Sequence, residues 1–317
     1  VNEKMFMNVD EQIERLKKLG IHIPDDEKTK KQLLDNSYYN IVNGYRDLFL
    51  FKNQKDKFLR GTRFTELYAL YHFDRQLRHS LLSFLLEVET TLKNRIVYAF
   101  MNTTDAGGNV EYPRDDYLKL HSYANHSEQS SKNTIKMIAK LQRTISTSFG
   151  NSDAVTHYLS NYGYVPLWVL ATRMTFGDIK MFYSCLKSKT RQAVAKKYNM
   201  SDADLLTHME LLAFIRNHCA HGNRIYCMRK KIDLPLPNKN TFPKRHVLIQ
   251  ANHGKHNLLN VFISLTFFLS KSRYEELVDK TMGLFEILEQ RLKTIGIDNV
   301  HKHTGLPSDK SVLQECV

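Results

Sequence analysis

The chain has 317 residues, enough to bury a large core as one large domain or two. A hydrophobic content of 42% excludes global disorder, while 46 Lys and Arg against 33 Asp and Glu leave a net charge of +13. That excess points to a polyanionic partner, nucleic acid being the commonest, against the plainer alternative of an inert basic surface.

Helical spacing dominates the chain. Residues 9–19 predict a short amphipathic helix stopped by Gly20, and residues 28–43 a second one punctuated by Gly44. Residues 52–60 form a basic connection. From residue 65 to about 101, Leu67, Leu70, Leu77, Leu81, Leu85, Val88, Leu92 and Ile96 recur every three to four positions. This predicts a helix on the order of 55 Å long, the spine of an all-α fold. Asp74 falls on its apolar stripe and Arg78 one turn later. Charges there are paired or functional: either the two lock packing, or one stands beside a site.

The helix ends over 102–108, and 112–133 reads as a polar, His-rich surface excursion. Helical spacing resumes at 134–149. Pro166 opens another helix with Trp168, Leu170 and Met174 in the core, and Asp178 is placed to cap the next. Residues 179–187 and 190–198 read as helices. Ser201, with Asp202 and Asp204 in the first turn, starts the helix that runs through the apolar stretch 205–215. Residues 228–256 contain Pro235, Pro237 and Pro243 and read as an irregular basic loop or short hairpin, with Arg229, Lys230, Lys231, Lys244 and Arg245 as a candidate RNA-backbone track. Helices return at 257–270 and 274–295, and the polar tail after Gly296 is expected to be loose.

The four cysteines (Cys185, Cys219, Cys227 and Cys316) have no disulfide-framework spacing, so a reducing cytoplasm is the default expectation. The apolar run 258–269 includes Asn260 and Ser264 and is too short to span a bilayer, and the charged N-terminus does not read as a signal peptide. His218, Cys219, His221 and Cys227 match no common zinc spacing, so no metal and no cofactor is expected.

The densest chemistry lies at 216–226: Arg216, Asn217, His218, His221, Asn223, Arg224 and Tyr226 directly follow the apolar run. An imidazole and a guanidinium five positions apart provide a proton-transfer group beside an anion clamp. Cleaving a phosphodiester without metal needs both. On a straight helix, however, positions five apart lie about 140° out of phase. Either Arg216 curls round, or the helix loosens before Gly222, or a second subunit completes the site. Arg75-Gln-Leu-Arg-His79 has a shorter spacing and reads as exposed surface.

Four ordered blocks carry a family resemblance. Tyr71-His-Phe-Asp-Arg-Gln-Leu-Arg78, Glu87-Val-Glu-Thr-Thr-Leu-Lys93, Pro166-Leu-Trp-Val169 with Thr175-Phe-Gly-Asp178, and the 216–226 block resemble the Abi-like (AbiD/AbiF) abortive-infection proteins of bacteria over about residues 30–295. Arg216-x4-His221 resembles the motif of the HEPN superfamily (higher eukaryotes and prokaryotes nucleotide-binding). Gly222, Tyr226 and Cys227 stand where the family often has His or Asn, Trp and Asn.

The resemblance implies a HEPN-like helical domain over 61–295 carrying the basic insertion 228–256, with an N-terminal helical segment before it and the polar tail 296–317 after it. It implies a metal-independent endoribonuclease in which the ribose 2′-OH attacks phosphorus. His221 would transfer protons, Arg216 would stabilise the charged phosphate, and Asn217 would orient it, with His218, Arg224, Tyr226, Asp74 and Arg78 as possible support. It also implies a homodimer with a composite cleft, restraint by a noncoding RNA or an antitoxin, and RNA as target. The alternatives are a non-catalytic RNA-binding protein of a defence ribonucleoprotein, and a HEPN toxin silenced by a nucleotidyltransferase partner.

Overall fold

The computed structural model describes residues 6–52, 54, 56–103, 116–124 and 126–317. Among them the fold is all-α: there is no strand, only isolated bridges between His22 and Arg63 and between Leu50 and Phe58. The spine is α3 (Phe64–Met101), whose predicted apolar stripe is buried along its whole length. At its start the buried Glu66 accepts hydrogen bonds from the amides of Lys293 and Thr294, both at 2.6 Å, so the stretch around residue 293 is tied to the beginning of this helix.

Two shorter helices precede the spine. α1 (Val9–Lys18) is closed by an Asn8–Glu11 capping box. α2 (Asp26–Asn36) stops well short of the predicted 43. Ser37 takes a left-handed conformation (φ 68°), and the chain then makes a single π turn, Tyr39–Asn43. The Asp35-Asn36-Ser37 run competes for backbone hydrogen bonds there, which apolar periodicity does not register. A 3₁₀ turn at Arg46–Phe49 leads toward α3.

After α3 the expected helix end at 102–108 and the first part of the polar excursion lie largely outside the described residues. Beyond them, Tyr117 and Tyr123 are buried anchors rather than surface. α4 (Glu128–Ser148) starts earlier than predicted because Ser127 and Ser130 form a cap. α5 (Asp153–Tyr162) was not predicted. α6 (Leu167–Leu170) buries Leu167, Val169 and Leu170 but leaves Trp168 52% exposed, correcting its expected place in the core. Four residues form one turn, and the neighbouring aliphatics take its inner face. α7 (Phe176–Cys185) is capped by Thr175; Asp178 sits at the third position, returns a 2.8 Å bond to the Thr175 amide and pairs with Lys140.

α8 (Ser188–Ala195) leads to α9 (Asp202–Ala220), whose Ser201–Asp204 capping box is the predicted start. The 228–256 stretch is half helical: irregular to residue 242, then α10 (Pro243–Asn252), with no hairpin. Pro243 pre-sets the first turn, and its missing amide costs nothing at that position. α11 (Leu258–Leu265) and α12 (Lys271–Glu289) follow, with α12 lying along α3, where Phe73 and Phe285 rings meet at 4.8 Å.

The tail is not loose. α13 (Ile297–Thr304) buries Val300, α14 (Ser311–Gln314) buries Leu313, and the connection between them buries Leu306. Leu16, Leu81, Leu212, Phe262, Phe285 and Leu313 all belong to one hydrophobic cluster, so the terminal segments share the core of the middle. No helix among the described residues is long and apolar enough to cross a membrane.

Candidate functional site at the end of helix α9

α9 packs against α3, α7 and α11 through Leu205, Met209, Leu212, Ile215 and Cys219. Its end is sharply defined. The Gly222 amide donates to the Cys219 carbonyl at 3.3 Å and the Asn223 amide to the His218 carbonyl at 2.9 Å, with Gly222 at φ 72°. These crossed bonds are the Schellman closure, and they need a residue that tolerates the left-handed region. They leave His221 as the exposed C-cap residue of the helix.

The chain leaving this turn is pinned to the spine by one carboxylate. Buried Asp74 accepts the Ile225 and Tyr226 amides on Oδ1, at 3.2 and 2.8 Å. Its Oδ2 takes the Tyr45 hydroxyl at 2.5 Å and the Arg78 guanidinium. Tyr45 and Tyr226 stack at 5.2 Å, and burial pushes both phenols well above the ordinary range. Arg224 donates to the Gly44 carbonyl. Asp74, Arg78 and Tyr226 therefore build the local frame, with Arg78 reaching one side of what that frame encloses.

It encloses a pocket of about 480 Å³. Three stretches line it: Tyr39, Asn40 and Asn43 from the π turn; Tyr71, Arg75, Arg78 and His79 from α3; and His221, Asn223 and Arg224 from the end of α9. No carboxylate is among the lining residues. Arg75 and His79 are exposed, as the sequence reading placed them, but they face this pocket. Spacings of three and four put Arg75, Arg78 and His79 on one helix face, a signal the sequence carried. The contribution of Tyr39, Asn40 and Asn43 left no such trace, because they meet α9 only in the folded chain.

Arg216 and Asn217 do not line this pocket. The Arg216 Nε donates to Glu89 at 2.9 Å, and Lys93 holds the other oxygen of that buried carboxylate at 3.0 Å. One terminal nitrogen of Arg216 reaches Asn217 at 3.3 Å. The helical phase difference is preserved rather than overcome: Arg216 clamps α9 to α3, while His221 opens on the pocket. Glu87 pairs with Arg273 instead, at 2.9 Å. His218 packs on the Phe214 ring, with centroids 3.9 Å apart, and its Nδ1 meets the Phe214 carbonyl. Cys219 is buried, which pushes its thiol up to about 12 and leaves it unreactive.

The basic residues after the site are largely engaged within the chain. Arg229 donates to the Met228 and His303 carbonyls, Lys230 faces Glu210 at 3.6 Å, and Lys244 pairs with Glu315 at 2.6 Å. Arg245 donates to the Cys316 and Thr266 carbonyls and lies over the Phe242 and Phe267 rings. Lys231 is exposed. The other four side chains engage separate partners.

A carboxylate-free pocket of guanidinium and imidazole groups at a helix end can hold an anion. The chain belongs to the family of Abi-like proteins, whose model matches residues 31–227 and so takes in every part of the pocket. That membership connects it with abortive infection. No curated protein and no solved structure matches the chain significantly.

Proposed function

We propose that this Abi-like chain is an abortive-infection effector of the HEPN type that cleaves RNA without a metal ion, acts in the cytoplasm, and is restrained by a noncoding RNA or an antitoxin. The observation that carries the reading is exposed His221 sharing a carboxylate-free pocket with Arg75, Arg78, His79 and Arg224. In this reading the ribose 2′-OH attacks the adjacent phosphorus and the 5′-oxygen leaves. The products are a 2′,3′-cyclic phosphate and a 5′-OH. His221 moves the proton, and guanidinium groups stabilise the charge that builds on the phosphate.

Arg216 enters as a group pre-oriented by Glu89 and Lys93, its side chain still 22% exposed. A strand crossing the end of α9 meets Arg216 on one side and the pocket on the other. A second copy of the chain facing it would complete a two-fold cleft.

The test is cleavage of a short RNA in EDTA. The wild-type chain is expected to cut it, and His221→Ala to reduce turnover by a factor of a hundred or more, on the order of the usual contribution of a general acid or base. A 2′-deoxy substitution at the scissile nucleotide is expected to block the reaction. Cleavage that survives either change would overturn the His221 and 2′-OH mechanism, and no cleavage by the wild-type chain would leave only RNA binding.

A further inference from the structure

The same pocket has features that proton transfer and charge stabilisation do not use. Tyr39 is 71% exposed on the π turn and makes no ring contact among the described residues, yet it lines the pocket mouth. Asn40 and Asn43 are exposed beside it, and their side-chain amides have no hydrogen-bond partner among the described residues. On the opposite wall the charge of Arg78 is met by Asp74. Arg75 and Arg224 have no carboxylate partner among the described residues.

An aromatic face, two free amide edges and two guanidiniums without a carboxylate partner match the base face, base edge and phosphate of one nucleotide. An exposed ring offers a base its π-face, which every base can use. A primary amide can donate to and accept from a base edge. Guanidinium forks take a phosphate. A pocket of about 480 Å³ lies within the usual span of small-molecule sites, roughly 300–1,000 Å³.

We infer that this pocket is a nucleotide subsite, holding one nucleotide of the RNA strand with its base on Tyr39, its edge against Asn40 and Asn43, and its phosphate between Arg75 and Arg224. The inference rests on the ribonuclease reading in taking the ligand from an RNA strand. It adds a base-reading wall on the N-terminal segment, far in sequence from the His221 turn.

Calorimetric titration of the full chain with the four nucleoside 3′-monophosphates and with inorganic phosphate tests the site. The nucleotides are expected to bind about tenfold or more tighter than phosphate, with a preference among the bases. Tyr39→Ala should remove about that margin, and Tyr39→Phe should keep it. Because Tyr39 is exposed, the substitution leaves the fold intact. A 2′-O-methyl trinucleotide, which cannot be cut, should bind tighter than the mononucleotides; its exclusion would overturn assignment to a strand. Phosphate binding as tightly as the nucleotides, or an unchanged margin in Tyr39→Ala, would overturn the subsite. Nucleotide binding without any RNA cleavage would sink the ribonuclease reading alone. Cleavage with unchanged KM and base preference in Tyr39→Ala would sink the subsite alone.

Discussion

His208 lies in the middle of α9, fully buried, with Nδ1 2.8 Å from the Ser264 hydroxyl and its ring against Phe267 and Phe268. Burial pushes its pKa down to about 3. In the unfolded chain the same imidazole takes a proton near pH 6.5. Between these values the unfolded state binds the extra proton, so the stability is complete above about 6.5 and is lost as pH falls toward 3. From pH 7 to 5 the loss from this one group is about 2 kcal/mol. Urea unfolding at the two pH values should show that loss in the wild-type chain and not in His208→Gln, which keeps a polar partner for Ser264. Superimposable losses would show that His208 is not the sensor. The other buried polar hub, Asp74, was half legible. Its place on the apolar stripe announced a buried pair with Arg78, but Tyr45 is 29 residues away and the Tyr226 amide 152 away, beyond any local pattern.

The closure of α9 sets where His221 points. An added Cβ at Gly222 meets nothing within 4 Å, so Gly222→Ala is opposed only by its left-handed backbone. The expected cost is about 1–2 kcal/mol, read by urea unfolding. Turnover on RNA should fall further than the folded fraction does, because the C-cap residue is displaced with the turn. An equally stable Gly222→Ala chain would mean that the turn re-forms with another residue left-handed. The sequence foretold elements in proportion to their length and regularity. The 38-residue spine was legible nearly to its ends, and α9 to its cap, because their buried stripes and capping residues agree. α5, α10 and the break at Ser37 were not, because these segments are decided by packing and local hydrogen bonds rather than by the periodicity that announced the equally short α1.

At the scale of the molecule, charge and symmetry remain to be used. The net charge is +13 and most of the 229–245 basic side chains are committed internally, so the ribonuclease reading would run RNA across the proposed two-fold cleft instead. RNA-free protein at micromolar concentration is therefore expected to scatter light as about twice the chain mass. A strict monomer that cleaves RNA would end the composite-cleft idea while leaving His221 in place. The class of fold could be read from the chain, but the pocket could not, since its walls come from three distant stretches. That dispersal has a consequence for synthesis. The Arg224–Gly44 bond joins residues 180 positions apart, and the Asp74 bonds join residues about 150 apart. At the usual pace of roughly 5–20 residues per second, on the order of ten seconds or more of translation separates the making of the first wall from the last. A chain still growing on the ribosome has no pocket until Arg224 has been made, so an activity housed there would come into being only after all three walls have been translated.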